Sequence, residues 1–514
     1  MSGILLRAGE LQLRYEDGFL RHFQIGETEV LRMMYFALRD HNWGTFTPII
    51  ELENIQVLAD HFYISYQCRH QLDGQDCYIW KVNIIGSADG RIEFDLKGTA
   101  LRYFRTNRAG FCVLHPIQGL AGEPVQITHA NSEVEHSFFP KFIAPFQPIQ
   151  DIKAMQWQIA GSPMLMKLNF EGDVFETEDH RNWGDANYKT YCTPIERPFP
   201  VDQHAGDEVR QNITFSYQID SSSVFQNAVS VQLPANGRTQ TPLNIGIGAA
   251  LGQNELEIGA AKKLAALHLS HYRADVTPAQ ADWVVRFSND AANAHLLQLP
   301  LEIALHLSTE PQEELAAFVQ LCQQNRLNIK YVLLFAATSL VTPPATIAAI
   351  PHLKKSLPNV QFGVGTNYNF TEVNRNRFDP GLADFVTFSF HPQEHAFDDL
   401  SVMENTETLL YTVESARAIY QLPVHISPIT LRARFNPYAT DPKGWVLDEN
   451  RRTDLRQVMP FTTIWTQKCI AFLESAGAQS ATFFQTCGLQ GIIADNGAPY
   501  PVYDFFKNRN QNPE

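Results

Sequence analysis

The stretch LEIALHLSTEPQEELAAFVQLCQQNRLNIKYVLLFAA, residues 301–337, decides the fold of the second half of this chain. It opens on a short apolar run, LEIALHLS, continues through EELAAFVQLCQQNRL at helical spacing, and closes on a second apolar run, YVLLFAA. Strand, helix and strand in that order make a βαβ unit, whose two strands lie parallel in one sheet. The alternation repeats outward on both sides. Apolar runs recur at LNIGIGAA (243–250), LAALHLSHYRADV (264–276), QFGVGTNYN (361–369), FVTFSFHP (385–392), PVHISPITLRARF (423–435) and SATFFQT (480–486). Helical stretches lie between them, among them ADWVVRFSNDAANAHLLQLP (281–300), ATIAAIPHLKKSL (345–357) and TETLLYTVESARAIYQ (406–421). Eight strands alternating with helices predict a (β/α)8 TIM-like barrel over residues 241–510. An open, doubly wound sheet is the competing topology, but no glycine-rich fingerprint follows the first strand. The pair Gly246 and Gly248 reads instead as tight packing on that strand.

Upstream the period changes from helical to alternating. LQLRYEDGFLRHFQIG (11–26) alternates around Asp17-Gly18, and HFYISYQCRHQLDGQDCYIWKVNIIG (61–86) makes two strands around Asp73-Gly74. GRIEFDLKGTALRYF (90–104) and VRQNITFSYQI (209–219) keep the same period. These segments predict one antiparallel β-sandwich over residues 1–235, with the large two-sheet type used by sugar mutarotases as a subdivision. The polar stretch QIDSSSVFQNAVSVQLPANGRTQTP (218–242) reads as its last strand or two and a linker.

Composition bounds what the chain does. At 514 residues it exceeds one ordinary domain, and 44% hydrophobic with 18% charged residues describes a globular protein with large cores. A formal charge of −15 argues against nucleic acid or an anionic membrane as partner, since both need a basic face. Seven scattered cysteines form neither a disulfide framework nor a CxxC zinc pair, and Cys68 and Cys77 read as reduced, buried thiols. The N-terminal MSGILLRAGELQLRYEDG lacks a signal-peptide pattern, and no apolar stretch reaches membrane-spanning length. A cytoplasmic protein is the resulting expectation.

Polar residues gather in two places. The first is FETEDHRNWGDANYKTYCTP (175–194), carried by the sandwich, where Glu178, Asp179, Arg181, Asn182, Asp185 and Lys189 sit among Trp183, Tyr188 and Tyr191. Aromatics that exclude water beside charges that recognise hydroxyls suit a small-molecule pocket; a surface turn pinned to the core by its aromatics is the bland alternative. The second place is the set of C-terminal strand ends in the barrel, where such enzymes keep their active sites. His271, Arg273 and Asp275 stand two apart on the second strand, and Asn367 and Asn369 do the same on the fifth. HPQEHAFDD brings His391, Glu394, His395, Asp398 and Asp399 after the sixth, Thr430, Arg432 and Arg434 follow on the seventh, and Gln485 and Thr486 end the eighth. Asp398 or Asp399 also fits a helix cap.

This inventory resembles a carbohydrate site. A common barrel glycosidase needs a carboxylic acid at the ends of the fourth and seventh strands, and here LLFAATSL and PITLRARF have none. No GxSxG elbow occurs. His391 and His395 have helical spacing in a segment that reads as loop, so no metal and no cofactor are expected.

Longer blocks carry a family resemblance. EDHRNWGDANYKTYCTPIERPFP (178–200), LSHYRAD (269–275), GTNYNFTEVNRNR (365–377), HPQEHAFDDLSVMENTE (391–407) and ISPITLRARFNP (426–437) resemble the bacterial D-apionate lactonases, as do GETEVLR (26–32) and RDHNWGT (39–45). The resemblance implies a lactonase of apiose catabolism that opens D-apionolactone to D-apionate, with a sugar lactone as its small-molecule partner. In FFQTCGLQG (483–491), Gln485 departs from the glutamate expected there, and Leu489 and Gln490 from a more aromatic and basic tail. Opening a γ-lactone requires a base for water, a stabilised oxyanion and a proton for the leaving ring oxygen. Residue chemistry suggests Glu178 or Asp179 as base or acid, with Arg181 and Lys189 near the developing charge. Asn182, Asp185, His271, Arg273, Asn367, Asn369, His391, His395 and Arg432 would position the sugar acid. A non-catalytic sugar-binding protein and an unusual glycoside hydrolase are the alternative classes.

Overall fold

The computed structural model describes residues 3–219, 242–250, 255–438 and 447–511. The described chain divides into two compact units, one from residues 3–180 and 187–219, the other from Arg181–Ala186 and residues 242 onward. Most of the predicted linker, from 220 to 241, lies outside the described residues.

The first unit is built of antiparallel strands in two layers. One layer runs, neighbour to neighbour, Ile49–Val57, Phe62–Leu72, Gln75–Gly86, Ile92–Ala100, Glu208–Ile219, Met164–Glu171, Ile149–Gln158, Pro124–His129 and Val134–Phe138. The other runs Ile4–Ala8, Leu11–Glu16, Phe19–Ile25, Thr28–Asp40, Phe104–Pro116, Asn187–Tyr191 and Phe175–Asp179. Phe175–Asp179 also pairs with Ile149–Gln158, which joins the layers. The two Asp-Gly hairpins form where alternation predicts them, with positive φ at Asp17 and Gly18 (48° and 86°) and at Asp73 and Gly74 (53° and 72°). Along Phe62–Leu72 every second side chain is buried, so Phe62, Ile64, Tyr66 and Cys68 face inward. Rings from opposite layers then meet: Phe36 lies 5.4 Å from Trp80 and 6.4 Å from Phe94, and Phe23 5.7 Å from Phe215. Such aromatic packing dominates a sandwich core, and truncating one ring to alanine costs about 3–5 kcal/mol.

The second unit is a closed parallel barrel. Its eight strands, in order, are Asn244–Gly248, His271–Val276, Leu301–Leu307, Ile329–Ala336, Gln361–Gly365, Phe385–Phe390, Val424–Ile429 and Ser480–Cys487. Each pairs in parallel with the next, and the first also pairs with the eighth, which closes the ring. Each predicted apolar run contributes a strand, although three differ in extent, and the run 361–369 stops at Gly365, so that Asn367 and Asn369 lie beyond the strand. In 264–276, Leu264 and Ala265 end the helix Ile258–Ala265, and His268 takes a φ of 49° before the strand starts at His271. In 423–435 the strand stops at Ile429, so Thr430, Arg432 and Arg434 belong to the segment beyond it. Gly246 is required by packing, since a Cβ there would lie 2.0 Å from Nε2 of His271. Among the described residues no helix is long and apolar enough to cross a membrane.

Candidate active site

Charges of alternating sign fill the barrel interior. Low in the barrel, Lys330 reaches Oδ1 of Asn244 at 3.2 Å; burial pushes its ammonium down, and the charge of Glu302 opposes that. Glu302 is fully buried; its Oε1 accepts from Thr482 (2.7 Å) and from Ser427, and its Oε2 lies 3.5 Å from Nε2 of His271. Burial first, then the charges of Lys330 and Arg273, push His271 down to about 3, so its ring is neutral. Arg273 donates to Ser427 (2.8 Å), to Asn367 (2.8 Å) and to Asp275 (3.0 Å). Asp275 accepts in turn from Arg434 at 2.9 Å and faces His306 at 3.2 Å. Burial alone would raise the Asp275 carboxyl, but the two arginines and His306 hold it well below the usual carboxylate range.

Above this column a cleft of about 440 Å³ opens at the ends of the fifth, sixth and seventh strands. Asn367, Asn369, His391, Arg432, Arg434, Glu372, Glu394 and Tyr438 line it. One wall is cationic. Arg432 lies 3.4 Å from Asp454, which Arg456 and Gln393 hold from the other side at 2.8 and 2.7 Å. Burial would raise Asp454, yet hydrogen bonds from Arg456 and Gln393 keep it at about 2. The facing chemistry is acidic. Glu372 sits on the short helix Phe370–Arg375, is only 1% exposed, and accepts a hydrogen bond from the Tyr438 hydroxyl. Burial pushes its carboxyl up to about 7, with the charge of Glu394 adding and Tyr438 and Arg375 opposing. His391 is pushed down by burial and stands 3.3 Å from Glu394, which also accepts from Asn369 at 3.3 Å.

Residues 181–186 belong to this unit although strands of the first unit flank them in sequence. Asp185 accepts from His395 at 2.7 Å, reading Nδ1 as the donor, and from Asn405 at 3.2 Å, while Asn405 accepts from the Ala186 N–H at 2.9 Å. Asn182 accepts from Asn374 at 2.9 Å. The Arg181 guanidinium lies 4.9 Å above Tyr411. Trp183 packs against Tyr438 (5.4 Å) and His395 (6.1 Å), with Arg375 over its ring. Gly184 has a φ of +96°, and a Cβ there would meet the His391 carbonyl at 2.8 Å, so the close approach of the segment depends on glycine.

The sequence-predicted residues therefore fall into four groups. Asn367, Asn369, His391 and Arg432 line the cleft. His271 and Arg273 share one face of their strand as their spacing implies, but both are buried beneath the cleft in the polar column. Arg181, Asn182, Asp185 and His395 form the docked segment and its partners. Glu178, Asp179 and Lys189 belong to the first unit: Glu178 is opposite Lys189 in register, Asp179 is opposite Tyr188 and accepts from the Ala144 N–H at 3.0 Å. Lys189 lies 5.4 Å over the Tyr191 ring. Sequence reasoning misses Glu372, Tyr438, Glu302 and His306. Glu372 stands inside GTNYNFTEVNRNR, and its position in the first turn of a helix directly after a barrel strand is the available signal.

The family models described as D-apionate lactonase, N-terminal domain, and D-apionate lactonase, TIM barrel domain, match residues 2–220 and 245–512. A D-apionate lactonase of Brucella anthropi is 31% identical over 96% of this chain and 84% of its own length. Among solved structures, a GH30 endoxylanase from Clostridium papyrosolvens C71 superposes with a TM-score of 0.37 at 10% identity, covering 54% of this chain and 74% of its own. A thermostable xylanase mutant from Cellvibrio japonicus gives 0.34 at 12% identity, covering 53% and 99%. Matched by both domain models and by a relative along nearly its whole length, the chain belongs to the D-apionate lactonase family.

Proposed function

We propose that this protein is a carboxylic-ester hydrolase that opens a branched-sugar aldonolactone, D-apionolactone, to D-apionate. The observation that carries the reading is the chain-long similarity to the Brucella anthropi D-apionate lactonase, to which the cleft adds suitable chemistry. A lactone carbonyl gains negative charge on attack, and Arg432 and Arg434 supply a cationic wall for it. Asn367, Asn369 and His391 offer donors and acceptors for sugar hydroxyls. The acid–base work that the sequence suggests for Glu178 or Asp179, with Arg181 and Lys189 near the charge, has a competitor in Glu372, whose surroundings suit it better. Seven free, buried cysteines fit a reducing compartment such as the cytoplasm.

A panel of aldonolactones including D-apionolactone, followed by proton release, tests the reading. Rapid opening of D-apionolactone over the unbranched lactones is the expected result. Failure to open any lactone, with turnover of aryl glycosides instead, would overturn it in favour of the glycoside hydrolase.

A further inference from the structure

The acids at the barrel mouth differ in what surrounds them. Asp275 is shared by Arg273 and Arg434, and Asp454 is held by Arg456 beside Arg432, so both are locked as weakly basic carboxylates. Glu394 is engaged by His391 and Asn369. Glu372 alone among these combines near-complete burial with a place on the cleft, and among the described residues no lysine or arginine forms an ion pair with it. Its side-chain partners are the Tyr438 hydroxyl on Oε1 and the Asn376 amide, at 3.5 Å, on Oε2. Tyr438 is itself fixed by ring contact with Trp183.

We propose that Glu372 is the general base of the cleft and that Tyr438 is a positioning residue holding its carboxyl toward the substrate. This rests on the lactonase reading above. The Glu372 carboxylate takes one proton from water as the water oxygen bonds to the lactone carbonyl carbon. The C=O π electrons move onto the carbonyl oxygen, which faces the Arg432 and Arg434 wall. Collapse re-forms C=O and breaks the bond to the ring oxygen, which leaves with the proton held by Glu372. The product acid ionises to solvent and Glu372 is again a carboxylate, so atoms and charge balance.

The groups facing Glu372 come from several elements: Arg375 on its own helix, Tyr368 before it, Glu394 after the sixth strand and Tyr438 after the seventh. Burial outweighs them and sets the carboxyl at about 7, near the optimum for a base at neutral pH. Tyr438 is pushed up by burial and by Glu372, so it remains a protonated donor and lowers Glu372.

The test measures kcat/KM against pH on the lactone that the wild type opens fastest, for wild type, Glu372→Gln and Tyr438→Phe, with melting temperatures alongside. A base acts when deprotonated, so wild-type activity rises through about pH 7. Glu372→Gln lowers kcat by about 10²–10⁴ without loss of melting temperature. Tyr438→Phe removes the bond that lowers Glu372 and moves the rising limb to higher pH. Wild-type rate and profile in Glu372→Gln overturn the proposal while leaving the lactonase reading intact; a wild type inert on every lactone overturns both. Should Glu372→Gln not fold, an unshifted limb in Tyr438→Phe overturns it.

Discussion

The polar hairpin of the first unit and the polar mouth of the barrel hold similar inventories of charge, but Glu176 and Asp179 of the hairpin accept from hydroxyl and backbone N–H groups of their own unit while the mouth leaves an acid beside open volume. In the hairpin, Glu176 accepts from Tyr191 and from the Ile195 N–H, Glu178 faces Lys189 in register, and Asp179 receives the Ala144 N–H. A carboxylate bound to backbone in this way is fixed in place and stabilises the fold. At the mouth, Arg273 and Arg434 share Asp275 below the cleft, whereas among the described residues Glu372 has no stronger hydrogen-bond partner than a phenol and an amide. Density of charged residues in a sequence therefore marks where polar groups are buried, and the partners of each group decide which of them is left for chemistry.

The largest test of this contrast is Arg434→Met. Removing a donor from the cationic wall lowers kcat by about 10²–10³, equivalent to about 2.7–4 kcal/mol. Because Arg273 still pairs with Asp275, the melting temperature moves little; a variant with wild-type kcat would move the oxyanion away from this wall. Next is Asp179→Ala in the hairpin, which strands the Ala144 N–H and costs about 1–3 kcal/mol by denaturant titration, with turnover per folded molecule retained. The reverse pattern, lost kcat at unchanged stability, returns the acid–base work to the hairpin and breaks the comparison.

Gly184→Ala sharpens the role of the docked segment. With a φ of +96° and the His391 carbonyl 2.8 Å from the added Cβ, the substitution costs of order 1–3 kcal/mol and raises KM by displacing His391. A change in stability with KM untouched would separate the segment from substrate positioning. The smallest effect is a pH-dependent one in Glu372→Gln. The fold raises the Glu372 pKa from 4.5 to about 7, so it favours the protonated acid; wild-type stability falls as pH rises through that interval. Glutamine has no charge to bury, so the variant's melting temperature gains on wild type between about pH 4.5 and 7 and matches its slope on either side. A parallel pH dependence in the two proteins would mean that Glu372 is not desolvated.

Part of the site is legible in the amino-acid sequence alone. Asn367, Asn369, His391 and Arg432 lie just past barrel strands, and the rule that such ends face the mouth is enough to find them. His271 and Arg273 share a face as a two-residue spacing requires, but spacing carries no information on depth, and both lie in the buried column. Glu372 does not stand out because a glutamate in the first turn of a helix is an ordinary residue there; its partner Tyr438 is 66 residues away.

Side-chain periodicity and turn chemistry act within a few residues, so the order of amino acids alone accounts for the alternating strands of the first half, the two Asp-Gly hairpins and the eight strand–helix repeats of the second. Folding in three dimensions is what packs residues 181–186 with the barrel and brings Arg434 and Arg273 together on Asp275. It also buries Glu372 against the Tyr438 hydroxyl. Those pairings depend on barrel closure and on which charges lose their water together, and long-range geometry sets both.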